Sequence, residues 1–134
     1  MIATTTSPLV LTQTADSEAI VFDAASVLSR LEGDNELAQI VFAAFLEDLP
    51  RQIQALKKLV ADRDDAGSAR QAHSIRGASA NVGGASLRKL AAEMERAADA
   101  GDWRSVVSRM DELERQFGLL EDAIKRNESV DTKP

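Results

Sequence analysis

Cysteine and tyrosine are both missing from this 134-residue chain, and only three prolines, seven glycines, one tryptophan and four phenylalanines occur in it. Without cysteine there can be no disulfide, no thiolate metal site and no cysteine nucleophile. A single histidine leaves little from which to build a metal centre, and none is expected. Nor is there an excess of basic residues: 16 Lys and Arg stand against 22 Asp and Glu, for a net charge of −6. An acidic surface repels phosphate backbones, and no basic stripe with interleaved aromatics appears, so nucleic-acid binding is not expected. No run approaches the ~20 apolar residues of a membrane span, so no direct membrane contact is expected. The opening stretch, MIATTTSPLVLTQTADSEA, lacks the basic start and apolar centre of a secretory signal.

What remains is rich in alanine and leucine, a composition that favours helices over strands. The length suits one domain. Residues 1–18, rich in Thr and Ser, read as a flexible lead or linker, 19–126 as the domain, and 127–134 as a flexible tail. Asp23 can cap a short helix carrying Ala24, Val27, Leu28 and Leu31. Gly33-Asp34 ends it and caps a second, long helix. Its apolar positions run Leu37, Ile40, Val41, Ala44, Phe45, Leu49, Ile53, Leu56 and Val60. Pro50 lies inside that stripe and is expected to kink the helix without ending it. Asp64-Asp65 caps a third helix that stops at Gly83-Gly84. Leu87, Leu90, Ala91, Met94 and Ala98 mark a fourth, stopped by Gly101. Asp102 caps a fifth, with Trp103, Val106, Met110, Leu113, Phe117, Leu120 and Ile124 facing inward. No segment alternates with period two. The short connections force neighbours to run antiparallel. The expected fold is all-α: an up-down-up-down four-helix bundle with a short additional N-terminal helix covering one end.

The single histidine sits in RQAHSIRGASANVGG, residues 70–84. On the third helix the inward series is Ala69, Ala72, Ile75, Ser79 and Val82. His73 lies two residues before Ile75, a rotation of roughly 200°, and so faces water. Its neighbours three and four positions away include Arg70, Arg76 and Gly77, with Ala80 one turn on. A mid-helix glycine costs about 1 kcal/mol against alanine. At Gly77 the missing side chain lets another protein's surface approach the ring, and Ala80 and Gly83 extend the same flat strip. An accessible imidazole, largely neutral at pH 7, can act as a nucleophile. Arg70 and Arg76 would stabilise an incoming phosphoryl group. The chain has no P-loop and no acidic cluster placed for magnesium, so a donor must bring both phosphoryl group and metal. It reads as a carrier without an ATP site of its own. The plainer readings are a solvated surface histidine, a helix-end role for Gly83-Gly84, and a solvated Arg70. Ser74 invites a Ser–His catalytic reading, but adjacent helical residues diverge by about 100°, which argues against it. Phe42, Phe45, Trp103 and Phe117 read as core, although an exposed side of Phe42 would suit docking.

These residues match a family. AHSIRGASANVGGASL resembles the signature of histidine-containing phosphotransfer (HPt) domains: His, any residue, an aliphatic, Lys or Arg, Gly, then small residues and a turn. VFDAASVLSRLEGDNELAQIVFAAFLEDLPRQIQALKKLV is similar to the first two helices of such domains, and LAAEMERAADAGDW to the fourth. The likeness spans about residues 20–125. It implies that His73 is the phospho-acceptor, that Arg76 fills the position of the usual lysine with a forked head, and that Gly77 gives clearance. The docking surface would include parts of the second and third helices around His73; Arg70, Ala80 and Gly83 are placed on it by helical geometry, and Arg70 matches no family-wide position. Some members carry a polar amide or basic side chain on the fourth helix near the phosphohistidine; here the nearest candidates, Glu95 and Asp99, are acidic.

The resemblance implies a module of a multistep two-component phosphorelay, taking a phosphoryl group from one receiver-domain aspartate and passing it to another. The partner would be a response-regulator receiver or the receiver of a hybrid histidine kinase. No cofactor is expected, magnesium coming from the receiver. A cytoplasmic monomer is expected, either free-standing or as the cytoplasmic end of a membrane-bound hybrid sensor kinase. The main alternative is a non-catalytic helical adaptor that only binds a signalling partner. Another is the phospho-accepting module of a kinase, which would need an ATP-binding domain elsewhere.

Overall fold

The computed structural model describes residues 20–131, with side chains as far as 127. Five helices follow in order: α1 (Ala24–Arg30), α2 (Asn35–Ala61), α3 (Asp65–Asn81), α4 (Ala85–Asp99) and α5 (Trp103–Asp131). Four of them start where an aspartate can satisfy the free amides of the first turn. Asp23 accepts from Ser26 N at 3.0 Å, Asp34 from Leu37 N at 3.0 Å, Asp64 from Gly67 N at 2.9 Å and Asp102 from Ser105 N at 3.2 Å. The Ser105 hydroxyl donates a second bond to Asp102, and together these bonds hold its carboxyl below the usual carboxylate range. Only α4 begins without a side-chain cap, at Gly84.

Helices α2, α3, α4 and α5 each pack on the next, and α5 closes the ring by packing back on α2. The result is the expected four-helix bundle, and no strand ladder forms among the described residues. Its core runs through Phe42, Phe45, Leu49, Ile53 and Leu56 of α2, Ile75 of α3, Leu87 and Met94 of α4, and Leu113, Leu120 and Ile124 of α5. Fully burying each large apolar side chain stabilises the fold by about 1.5–3 kcal/mol before entropy is counted. Helix α2 continues through Pro50 to Ala61.

The short α1 covers one end. Val27 is buried there, Asp23 N donates to Gly83 O at 2.8 Å, and Arg30 Nη2 reaches the carbonyls of Ala80 and Asn81, both at 3.2 Å. Ahead of α1, Val21 and Phe22 are buried, and Phe22 meets Phe42 edge-on at 5.4 Å.

Two expectations need correction. The inward stripe of α2 begins on Ala38 and Phe42; Leu37 and Ile40 are 41% and 64% exposed, Ala44 is exposed and Val41 half-buried. The first three turns of α2 are apolar almost all the way round, so two series at helical spacing compete. Phe22, from outside the helix, packs against Phe42 and selects its face. Phe42, 1% exposed, is thereby unavailable for docking. At the other end, the expected tail from residue 127 is helical as far as Asp131. The lead over residues 1–18 lies outside the described residues, Ile20 being the first of them.

Gly83 adopts φ +72°, and a Cβ there would stand 2.6 Å from Asp23 O and 3.0 Å from Val27 Cγ2. The α3–α4 turn is therefore fitted against α1 with no room for a side chain. Gly83→Ala is expected to lower unfolding stability by about 2–4 kcal/mol, from left-handed strain plus overpacking. Urea unfolding checks this, with Gly118→Ala as control, since a Cβ at Gly118 meets nothing within 4 Å.

Candidate functional site

Helix α3 buries a narrow face of mostly small side chains: Gly67, Ser68, Ala69, Ala72, Ile75 and Ser79. Ser79 is accommodated there because its hydroxyl donates to Ile75 O at 2.7 Å. Across from it, α4 buries Ser86, Leu87, Leu90, Ala91, Met94 and Ala98. With that face of α3 inward, His73 comes out on the opposite side, its side chain 61% exposed. The orientation expected from helical spacing is the one observed.

The surroundings of the ring differ from a purely positive spot. His73 Nδ1 lies 3.1 Å from Glu95 Oε2, on α4. Arg76 Nη2 lies 2.9 Å from the same nitrogen, and Arg76 Nη1 stands 3.2 Å from Glu95 Oε1. The three side chains form a closed triangle of imidazole, guanidinium and carboxylate. Glu95 is only 20% exposed and Arg76 37%. Glu95 Oε1 is buried and accepts no aligned hydrogen bond; the Arg76 ion pair is its compensation.

One ring nitrogen cannot serve both neighbours in one protonation state. With a proton on Nδ1 it donates to Glu95; without one it accepts from Arg76. The carboxylate favours the first arrangement, which leaves the lone pair on Nε2. Among the described residues nothing hydrogen-bonds to Nε2. The site thus presents an oriented ring with its outer nitrogen uncommitted.

An open groove between α3 and α4 runs beside the ring, lined by Ala66, Ala69, Arg70, His73, Ser74, Glu95 and Asp99. Arg70 is exposed and makes no hydrogen bond or ion pair among the described residues. On the other flank of His73, a Cβ at Gly77 would meet nothing within 4 Å. Among the described residues no contact requires glycine there. Ala80 is exposed one turn further, at the rim where Arg30 of α1 holds its carbonyl. Gly83, expected at the end of this strip, faces α1 instead, and its lack of a side chain has the internal cause given above.

The sequence brought His73, Arg76, Gly77, Arg70 and Ala80 to one region. It named Glu95 without foreseeing that it bonds the ring. The available signal was its place in α4: next to Met94 and four after Ala91, it borders the buried face and so sits on the edge nearest α3.

The family model for the Hpt domain matches residues 41–128. The chain belongs to the Hpt domain family. A solved structure, histidine-containing phosphotransfer protein B (HptB) from Pseudomonas aeruginosa PAO1, superposes with a TM-score of 0.75 at 21% identity, covering 80% of this chain and 93% of that one. At that identity the likeness concerns the fold. No curated protein matches the chain. Hpt domains carry out histidine phosphotransfer in phosphorelays and interact with receiver domains. Among the described residues no helix is long and apolar enough to cross a membrane.

Open space at Gly77 gives a two-sided expectation. Gly77→Ala should raise unfolding stability by about 0.5–1 kcal/mol, because the helix gains a better former and the unfolded chain loses freedom. The same methyl should slow phosphoryl exchange with a receiver by roughly tenfold if the surface there is approached closely. Urea unfolding and a transfer time course on one protein sample check both signs.

Proposed function

We propose that this Hpt domain carries the phosphoryl group on Nε2 of His73, accepting it from the aspartyl phosphate of one receiver domain and passing it to the aspartate of another. The observation that carries this reading is the state of the imidazole: exposed, held at Nδ1 by Glu95, which Arg76 pairs in turn, and uncommitted at Nε2.

The step follows from that geometry. The Nε2 lone pair attacks phosphorus, the N–P bond forms, the acyl phosphate P–O bond breaks, and the receiver's carboxylate leaves with the electron pair. The ring acquires positive charge as the bond forms. Glu95, accepting the Nδ1 proton in a hydrogen bond, stabilises that charge where it develops. No proton needs to move during transfer in either direction, which suits a reversible carrier. Arg76 stands at the family's basic position and keeps Glu95 in place. Gly77 and Ala80 leave the low surface over which the receiver's own site approaches, and the receiver supplies magnesium. Rate enhancement here rests on placement and charge.

Incubation with a panel of phosphorylated receivers tests the proposal. The wild-type chain should gain an acid-labile, alkali-stable phosphate, and His73→Gln should gain none. Label on His73→Gln would remove the assignment. Receiver binding with no transfer to the wild type would favour a plain helical adaptor.

A further inference from the structure

We infer that the two arginines beside His73 divide the work: Arg70, not Arg76, contacts the phosphoryl group, while Arg76 is a positioning residue that acts through Glu95. This rests on the reading of His73 as phospho-acceptor and goes beyond it by assigning the cation.

Three observations lead there. First, Arg76 is already engaged with Glu95, its Nη1 3.2 Å from Oε1, and it lies on the Nδ1 side of the ring. The two ring nitrogens point away from opposite sides of the imidazole, so a group held at Nδ1 is turned from a phosphoryl group on Nε2. Second, Arg76 is not free to swing over. Glu95 Oε1 is buried with no aligned hydrogen bond, and withdrawing Arg76 would leave that oxygen with no charged group facing it. Third, Arg70 is available. It is exposed, makes no hydrogen bond or ion pair among the described residues, and lines the same groove as His73 one helical turn towards the N-terminus. Side chains on a helix lean in that direction, so the His73 ring leans towards the Arg70 turn, and the long Arg70 side chain has to fold back along the groove to meet it. A forked guanidinium suits two phosphoryl oxygens at once. Asp99 shares the groove but is not paired with Arg70, so no existing ion pair must break.

The test uses a small donor, so that docking does not enter. Potassium phosphoramidate transfers its phosphoryl group to an accessible imidazole, the donor's P–N bond breaking as the new N–P bond forms, with ammonia leaving. The full chain and its variants Arg70→Gln, Arg76→Gln, Arg76→Lys, Glu95→Gln and His73→Gln are labelled and followed by phosphorus NMR across pH. Loss of a cation that touches the phosphoryl group should raise the pH at which that group takes up its proton. Arg70→Gln is expected to shift this titration upward by a few tenths of a unit. Arg76→Gln and Glu95→Gln should leave the titration in place, yet slow labelling by roughly tenfold each. Their double variant should be no slower than either single one. Arg76→Lys, which retains a charge for Glu95, should recover most of the rate. A titration moved by Arg76→Gln and untouched by Arg70→Gln overturns the division of labour while leaving His73 as acceptor. An unlabelled wild type, or equal labelling of His73→Gln, overturns the acceptor assignment itself.

Discussion

The close seating of α3 on α4 is the constraint from which the site follows. Helix α3 buries mostly small side chains, among them Ser68, Ala69 and Ala72, and α4, which packs on it, buries Ser86, Ala91 and Ala98 beside Leu87, Leu90 and Met94. Small residues let helices approach, and the approach has two effects. It turns the opposite side of α3 to water, carrying His73 with it. It also brings the flank of α4 near enough for the Glu95 carboxylate to reach the ring at 3.1 Å. A larger residue at Ala72 or Ala91 would separate the two helices and loosen the hold on Nδ1 before it exposed any core.

The arrangement joins a rigid half to an open half. On the α4 side, the ring is tied by a triangle of charges, one corner of which is buried. On the solvent side, there is an uncommitted nitrogen, an unpaired guanidinium and a glycine with nothing near it. A carrier has to hold its reactive atom still while presenting it to more than one partner. Fixing one nitrogen of a five-membered ring accomplishes the first task without obstructing the second.

Much of this was legible in the chain itself. Aspartates at four helix starts, and glycines at three turns, Gly33, Gly83 and Gly101, marked the boundaries, because caps and left-handed backbone depend on local chemistry. The inward series of α3 set the facing of His73 because the large apolar side chains of that stretch, Ile75 and Val82, fall on one face with Ala72 and Ser79. Where two faces were equally apolar, as in the first turns of α2, periodicity could not choose between Ile40 and Phe42. Phe22, distant in sequence, made the choice. The Glu95 contact was hidden for a similar reason, since it depends on the separation and rotation of two helices. Gly83 looked like part of a surface strip because its contact with Asp23 spans 60 positions of chain, from 23 to 83.

The charge inventory of the groove between α3 and α4 has its own outcome. Arg70 and Arg76 face Glu95 and Asp99, so the four groups cancel while the histidine is unmodified and neutral. A phosphate dianion on a ring that keeps its Nδ1 proton, and so turns positive, tips the balance negative by one charge on a molecule whose net charge is already −6. Loaded and empty forms would then generate different long-range fields. Encounter rates of the two forms with a charged partner should therefore respond unequally to ionic strength.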